Sequence, residues 1–343
     1  MSKPVNLFSD TQTQPSAAMR TAMANAEVAD EQRRRDPTVN ELQETVAAML
    51  GMEAALFLPS GSMCNQIGIR LHIRPGGDEF YAHRSSHPIV AEAGGAATLS
   101  GALVHPLEGE GGIFSGAALE EAMRNPDDIH QPRSRLVCVE QPSNLGGGRV
   151  WSRAALDEVL EVAERYSLRT HMDGARLLNA AVATGQKPAS MTAGFDTAWI
   201  DFSKGLGAPV GACLASSHEL IEQAWRYKQM FGGAMRQAGV IAAGALWALQ
   251  NNVERLAEDH ENARLLADGL AEIDGVKIDP ACVETNIVIF EVPHASFLVE
   301  QLDREGIEVR HNSSRVRAVT HLDVNREEVE RALEAIRRVL AMA

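Results

Sequence analysis

Through the first two-thirds of the chain, short apolar runs alternate with polar segments of helical period. The runs at 54–58, 79–81, 136–140, 168–172, 197–201 and 211–215 are bounded by turn residues and too short for helices, so they predict strands buried on both faces. Between them, 118–124 and 153–166 carry helical spacing. This alternation predicts an α/β domain with a mainly parallel sheet. A long helical stretch follows from 236 to 273, with charged positions from Glu254 onward that suit a solvated face. Its apolar part, 238–249, is broken by glycines and too short to span a bilayer, so it reads as a buried helix. Beyond it the pattern becomes strand, helix, strand, helix at 286–291, 295–305, 316–320 and 326–341. The expected organisation is a large domain over 1–249, including an N-terminal arm, and a small C-terminal α+β domain over 250–343.

Composition narrows the class. With 343 residues, 45% of them hydrophobic, the chain can bury a large core. Asp and Glu outnumber Lys and Arg by 46 to 32, a net charge of −14, and the one basic cluster, Arg33-Arg34-Arg35, is short, which argues against a nucleic-acid partner. Cys64, Cys138, Cys213 and Cys282 lie far apart without metal-type spacing, so no metal is expected. The segment Met1-Ser2-Lys3-Pro4 lacks an apolar signal core. A reduced, cytoplasmic setting without membrane contact fits these features.

Candidate chemistry appears at two strand ends. Asp173 closes the run His171-Met172-Asp173, and a lone lysine stands in the Gly-flanked turn Ser203-Lys204-Gly205-Leu206-Gly207. These are the two groups that pyridoxal 5′-phosphate requires: a lysine to hold its aldehyde covalently, and an acid to keep its pyridine nitrogen protonated. Directly after the first strand, Pro59-Ser60-Gly61-Ser62 is either a helix N-cap or a phosphate turn, since both use free N–H groups at a positive helix terminus. A dinucleotide-binding domain is remote, because no Gly-x-Gly-x-x-Gly turn follows that strand.

Several further segments carry a specific resemblance. Ser9-Asp10-Thr11, Asp36-Pro37-Thr38-Val39-Asn40, Pro59-Ser60-Gly61-Ser62-Met63, Asp173-Gly174-Ala175-Arg176-Leu177, Gly232-Gly233-Ala234-Met235-Arg236 and Arg317-Ala318-Val319-Thr320-His321 stand in order with the Lys204 loop. Together they resemble the threonine aldolases of the β-eliminating lyase family, pyridoxal enzymes of the aspartate aminotransferase-like fold type I. That resemblance implies a lyase cleaving a 3-hydroxy amino acid to glycine and an aldehyde. It implies Lys204 as the cofactor's anchor, Asp173 on the pyridine nitrogen, Ser60, Gly61 and Ser62 at the phosphate, and His87 stacked on the ring as catalytic residue. Ser9, Arg176 and Arg317 match positions that hold the substrate carboxylate, although Arg176 is equally readable as the partner of a nearby acid. Lys228 and Arg236 resemble basic positions near the phosphate, often reached from a neighbouring subunit, or else interface and surface charge. A homo-oligomer, dimer or homotetramer, is implied.

Departures from the family pattern bear on the substrate. Arg33 and Arg34 replace a Tyr-Gly pair, and Phe8 replaces an arginine. Ser143, within Gln141-Pro142-Ser143-Asn144, stands where the family has a histidine facing the β-hydroxyl. The base is therefore expected to be His87 or a water it orients, with His83 a further candidate. Threonine is expected to be a poorer substrate than some other 3-hydroxy amino acid. Alternatives are β-elimination from a 3-substituted amino acid, an aldolase for a 3-hydroxyaspartate-like substrate met by Arg33 to Arg35, and, remotely, a non-catalytic pyridoxal-binding protein.

Overall fold

The computed structural model describes residues 4–342, so Met1, Ser2 and Lys3 of the N-terminal segment read above lie outside the described residues. A two-residue strand, β1 (Val5–Asn6), comes first, followed by helices α1 (Ala17–Ala24) and α2 (Pro37–Leu50). The main sheet contains β2 (Ala54–Leu58), β3 (Asp78–His83), β4 (Leu103–Leu107), β5 (Arg133–Glu140), β6 (Arg169–Gly174), β7 (Thr197–Asp201) and β8 (Ala212–Ser216). Its order is β2-β8-β7-β6-β5-β3-β4. Strand β8 runs antiparallel to β2 and β7, whereas the remaining pairs are parallel. The mainly parallel α/β expectation is met.

Apolar layers cover both faces of this sheet, which explains why its strands read as unbroken apolar runs. Val137 and Val139 of β5 pack into one core, whereas Leu136 and Cys138 pack into another on the opposite face. Because β5, β6 and β7 are adjacent and parallel, their last residues or near-last residues, Glu140, Asp173 and Asp201, gather at one edge. Ligands of such sheets bind at the carboxyl ends of the strands. Helix α3 (Gly61–His72) follows β2 after two intervening residues, Pro59 and Ser60, and its N-terminus reaches Trp199 and Asp201 of β7.

A second core belongs to the C-terminal part. Strands β9 (Ile287–Glu291), β10 (Ile307–Glu308), β11 (Arg310–Asn312) and β12 (Arg315–Val319) enter two sheets: β11-β12-β9 is antiparallel, and β1 pairs in parallel with β10. Val5 and Leu7 thereby join the core formed by residues from Ala263 to Val339. Asp10, just beyond, reaches across to Arg176 and to Asn286, so the arm bridges the two cores.

Two expectations change. The stretch 236–273 is two helices, Gly239–Asn251 and Leu256–Ala271, because the chain turns at Asn252, whose amide donates to the Leu206 carbonyl at 2.7 Å. The run at β4 was not read from sequence, since an edge strand with Leu103 and Val104 exposed and Pro106 inside it lacks the buried apolar signature.

Lys228 also differs from expectation. Its ammonium is fully buried and donates to Glu31 Oε2 at 2.8 Å, 4.7 Å from the Trp225 ring centroid, so it is neither surface charge nor available to a phosphate. Removing one partner of such a pair leaves an uncompensated buried charge. Glu31→Leu should therefore cost about 3–5 kcal/mol in denaturant unfolding, and adding Lys228→Met should recover most of that loss. Equal stability of the single variant and the parent would show that the pair is not buried in solution.

Candidate active site

The site is assembled where α3 meets the carboxyl edge of the sheet. Ser60 is extended and its Oγ accepts from Met63 N at 3.2 Å, so it does cap α3. The amides of Gly61 and Ser62 open the helix, where no intrahelical acceptor exists for them. Gly61 has to be glycine: a Cβ there would lie 2.3 Å from Trp199 Cη2. The loop after β7 brings Lys204 to this point, with its Nζ against Asp201 Oδ2 and 5.7 Å from the Trp199 ring centroid. Asp201 is itself fixed by Ser203, which donates from N at 2.8 Å and from Oγ at 2.7 Å.

Asp173 is buried at the end of β6. Its Oδ1 accepts from Ala175 N at 3.0 Å and its Oδ2 from Asn65 Nδ2 at 2.7 Å. Both donors are neutral, and burial pushes the carboxyl above the usual aspartate range. Glu140, opposite Asp173 in register, is pushed well up by burial and by Asp173. His87 places Nδ1 2.7 Å from Glu92 Oε1, and this hydrogen bond raises its pKa against the opposing effect of burial. Glu92 is buried while the imidazole is partly exposed, and this bond occupies Nδ1 and not Nε2.

On the substrate side, Arg176 grips Asp10 with two bonds of 2.7 Å, both residues buried. Asp10 is the nearby acid of one of its two sequence readings, and the two bonds use Nε and Nη2 of the guanidinium. The bond geometry and the guanidinium together hold Asp10 well below the carboxylate range, even against burial. Arg317 is different: Nη2 donates to Asn144 Oδ1 at 2.8 Å, Nη1 to Phe8 O at 3.4 Å, and buried Nε has no partner. Burial, reinforced by nearby Arg176, lowers its pKa to about 10. Ser9 Oγ accepts from Thr11 N and Oγ1, capping the short turn at Asp10–Gln12.

The remaining candidates have the following surroundings. Ser143 is buried, with its Oγ so close to Gly112 that a Cβ there would come within 1.8 Å, and Asn144 is the residue of that loop that contacts Arg317. His83 uses both ring nitrogens, Nδ1 with Ser85 Oγ and Nε2 with Gly109 O, so it is a structural histidine without a free base position. Arg236 is exposed and 3.3 Å from Asp30. Arg33 and Arg35 are exposed, and Arg34 adopts the left-handed φ of 56° suited to the glycine it replaces, held by two 2.6 Å bonds to Glu222.

Sequence reading missed Asp10, Asn65, Glu92, Glu140, Trp199 and Asp201. Asp201 and Glu140 had a usable signal, an acid closing a predicted strand beside one already chosen. The others lie on a helix, in loops or inside a strand with no local signature.

Comparisons with known proteins agree with this geometry. Residues 6–293 match the family model described as β-eliminating lyase. Low-specificity L-threonine aldolase 1 of Arabidopsis thaliana is 39% identical over 98% of this chain and 97% of its own length. The low specificity L-threonine aldolase of Escherichia coli (strain K12) is 39% identical over 98% and 99%. The solved threonine aldolase of Leishmania major superposes with a TM-score of 0.83 at 18% identity, over 98% of this chain and all of that one, which is a likeness of fold. On the family model and the full-length relatives together, the chain belongs to the β-eliminating lyase family.

Proposed function

We propose that the chain is a pyridoxal 5′-phosphate-dependent lyase that cleaves a 3-hydroxy-α-amino acid, threonine or a relative of it, into glycine and an aldehyde. The observation that carries this reading is Asp173, a buried acid met only by neutral donors, beside a lysine at an open helix N-terminus. A protonated ring nitrogen against Asp173, an aldehyde at Lys204 and a phosphate at Ser60, Gly61 and Ser62 fit these groups together. The names of the full-length relatives support the same substrate class. Once bound, the cofactor supplies the electron sink for a carbanion at Cα.

The chain's own residues do the rest. Arg317 offers a buried guanidinium, without a carboxylate against it, to the substrate carboxylate. Arg176 holds Asp10 and through it the arm that carries Ser9. Thr13 of the same arm donates to the Lys204 carbonyl at 2.8 Å and steadies the loop. His87, with Nδ1 tied to Glu92, presents Nε2 to the β-hydroxyl or to a water upon it, and takes the proton whose removal lets Cα–Cβ break. Because Glu92 keeps the imidazole charged to higher pH than usual, the base form is lost as pH falls through a midpoint above the ordinary value of about 6.5. Four unpaired cysteines support a reducing, cytoplasmic compartment, and no helix among the described residues is long and apolar enough to cross a membrane.

The deciding experiment is a product assay on a panel of 3-hydroxy amino acids, including threonine and 3-hydroxyaspartate, with Lys204→Ala as control. Glycine and aldehyde are expected, falling off on the acid side as above, with the control losing both the visible cofactor band and turnover while staying folded. Ammonia and a keto acid as the products would replace aldol cleavage with β-elimination.

Arg317→Ala should raise KM for every amino acid on the panel by about tenfold or more, with kcat changed much less, because the carboxylate contact is made in ground and transition states alike. An unchanged KM would assign the carboxylate to another residue.

We propose further that the enzyme is a homo-oligomer, a dimer or a tetramer. Val90, Leu99, Leu103, Val104 and Met230 expose 37% to 69% of their surface, which supports contact with another copy. Light scattering should report at least a dimer at assay concentration, and a fully active monomer would overturn the assignment.

A further inference from the structure

Helix α3 carries Gly61, Asn65 and Gly68 at i, i+4 and i+7, a single stripe facing the sheet. Both glycines make room for rings. A Cβ on Gly61 would meet Trp199 at 2.3 Å, and one on Gly68 would meet His171 Cε1 at 2.3 Å. Gly in a helix interior costs roughly 1 kcal/mol relative to Ala. The two rings so admitted converge on the residue between the glycines: Trp199 Nε1 lies 2.7 Å and His171 Nε2 3.1 Å from Asn65 Oδ1.

An indole N–H can only donate, so it fixes which end of the Asn65 amide is oxygen. Everything else in the chain of bonds then follows. Asn65 Nδ2 must point at the carboxylates, 2.7 Å from Asp173 Oδ2 and 2.7 Å from Glu92 Oε1. His171 must carry its proton on Nε2, leaving Nδ1 to accept from Thr197 Oγ1 at 2.8 Å. Thr197 in turn accepts from His72 Nε2 at 3.2 Å, its alternative acceptor, Thr170 O, being 3.4 Å away. Burial presses His171 to about 3 and His72 to about 4, so both rings are neutral through the working range. Every proton along His72, Thr197, His171 and Asn65 points toward Asp173.

We infer that Asn65, oriented by Trp199 and by the His171–Thr197–His72 chain, is a positioning residue that joins the acid at the cofactor nitrogen to the acid behind His87. Its amide aims one N–H at Asp173 and the other at Glu92, so the group on the ring nitrogen and the group on the ring face are set by one side chain. This rests on the proposed pyridoxal site. The other titratable groups facing Asp173 are His87 and Glu92, Glu140 and Cys138 of β5, and Cys64 of α3, with Lys204 nearby. The variants below change none of them.

Trp199→Phe removes the indole donor and keeps an aromatic ring beside Gly61. Thr197→Val removes the hydroxyl at constant shape, and Thr197→Ser keeps it. In the holoenzyme, Trp199→Phe and Thr197→Val should each lower kcat about tenfold with KM for the amino acid within about twofold. The pH midpoint of the visible cofactor band should also rise by about half a unit or more. A ring less able to keep its nitrogen proton withdraws less charge from the Lys204 linkage, which then stays protonated to higher pH. Thr197→Ser should match the parent in both measurements. Parent-like midpoints and kcat in folded Phe and Val variants would overturn the inference, as would a Ser variant that behaves like Val. A parent protein with no visible band would instead overturn the cofactor reading.

Discussion

A carboxylate buried without a cation is the constraint around which this site is arranged. Three pairs in the interior set opposite charges against each other: Arg176 with Asp10, Lys228 with Glu31, Lys204 with Asp201. Asp173 meets two neutral N–H groups, and Arg317 meets two neutral oxygens. Asp173 and Arg317 thus have hydrogen bonds but no ion pair of their own among the described residues. Since burial raises the Asp173 pKa, the folded state loses stability, relative to one with an exposed aspartate, as pH rises past the ordinary aspartate range. In the proposed site a cationic ring against it would relieve that penalty, so binding of the cofactor would also stabilise the fold.

The sheet supplies the other half of the arrangement. Parallel β5, β6 and β7 deliver their acids to one edge, and α3 points its positive N-terminus at the same place. A lysine loop there finds an acid to hold its amine before any aldehyde arrives, and an amide-rich turn ready for an anion. Placement of charge, more than pocket shape, is what the fold contributes.

The large sheet was readable from sequence because its strands are buried on both sides, and Asp173 and Lys204 were readable because each closes or follows such a strand. Ser60 was readable only as an open choice, and the structure makes it a cap whose neighbours still present free amides. What stayed hidden depends on partners distant in sequence. Asn65 acquires its role from Asp173 and Trp199, and Asp10 from Arg176. Lys228 read as a base near a phosphate, or as interface or surface charge, because nothing local reveals that Glu31 will neutralise it. Arg34 sits in a backbone conformation usual for glycine, a substitution tolerated through Glu222 and the Trp225 ring.

The N-terminal arm carries a consequence for biosynthesis. Val5 and Leu7 are made about 300 residues ahead of their partners, Ile307, Glu308 and Val319. At about 5–20 residues per second, the arm waits on the order of tens of seconds for the strand it joins. During that interval Asp10 lacks Asn286, although Arg176 and the Lys204 carbonyl, which meet Asp10 and Thr13, are already synthesised. A nascent chain can therefore hold the Arg176 and Lys204 ends of the arm's contacts long before β10 and β12 exist, and the two cores are joined only when those strands are made.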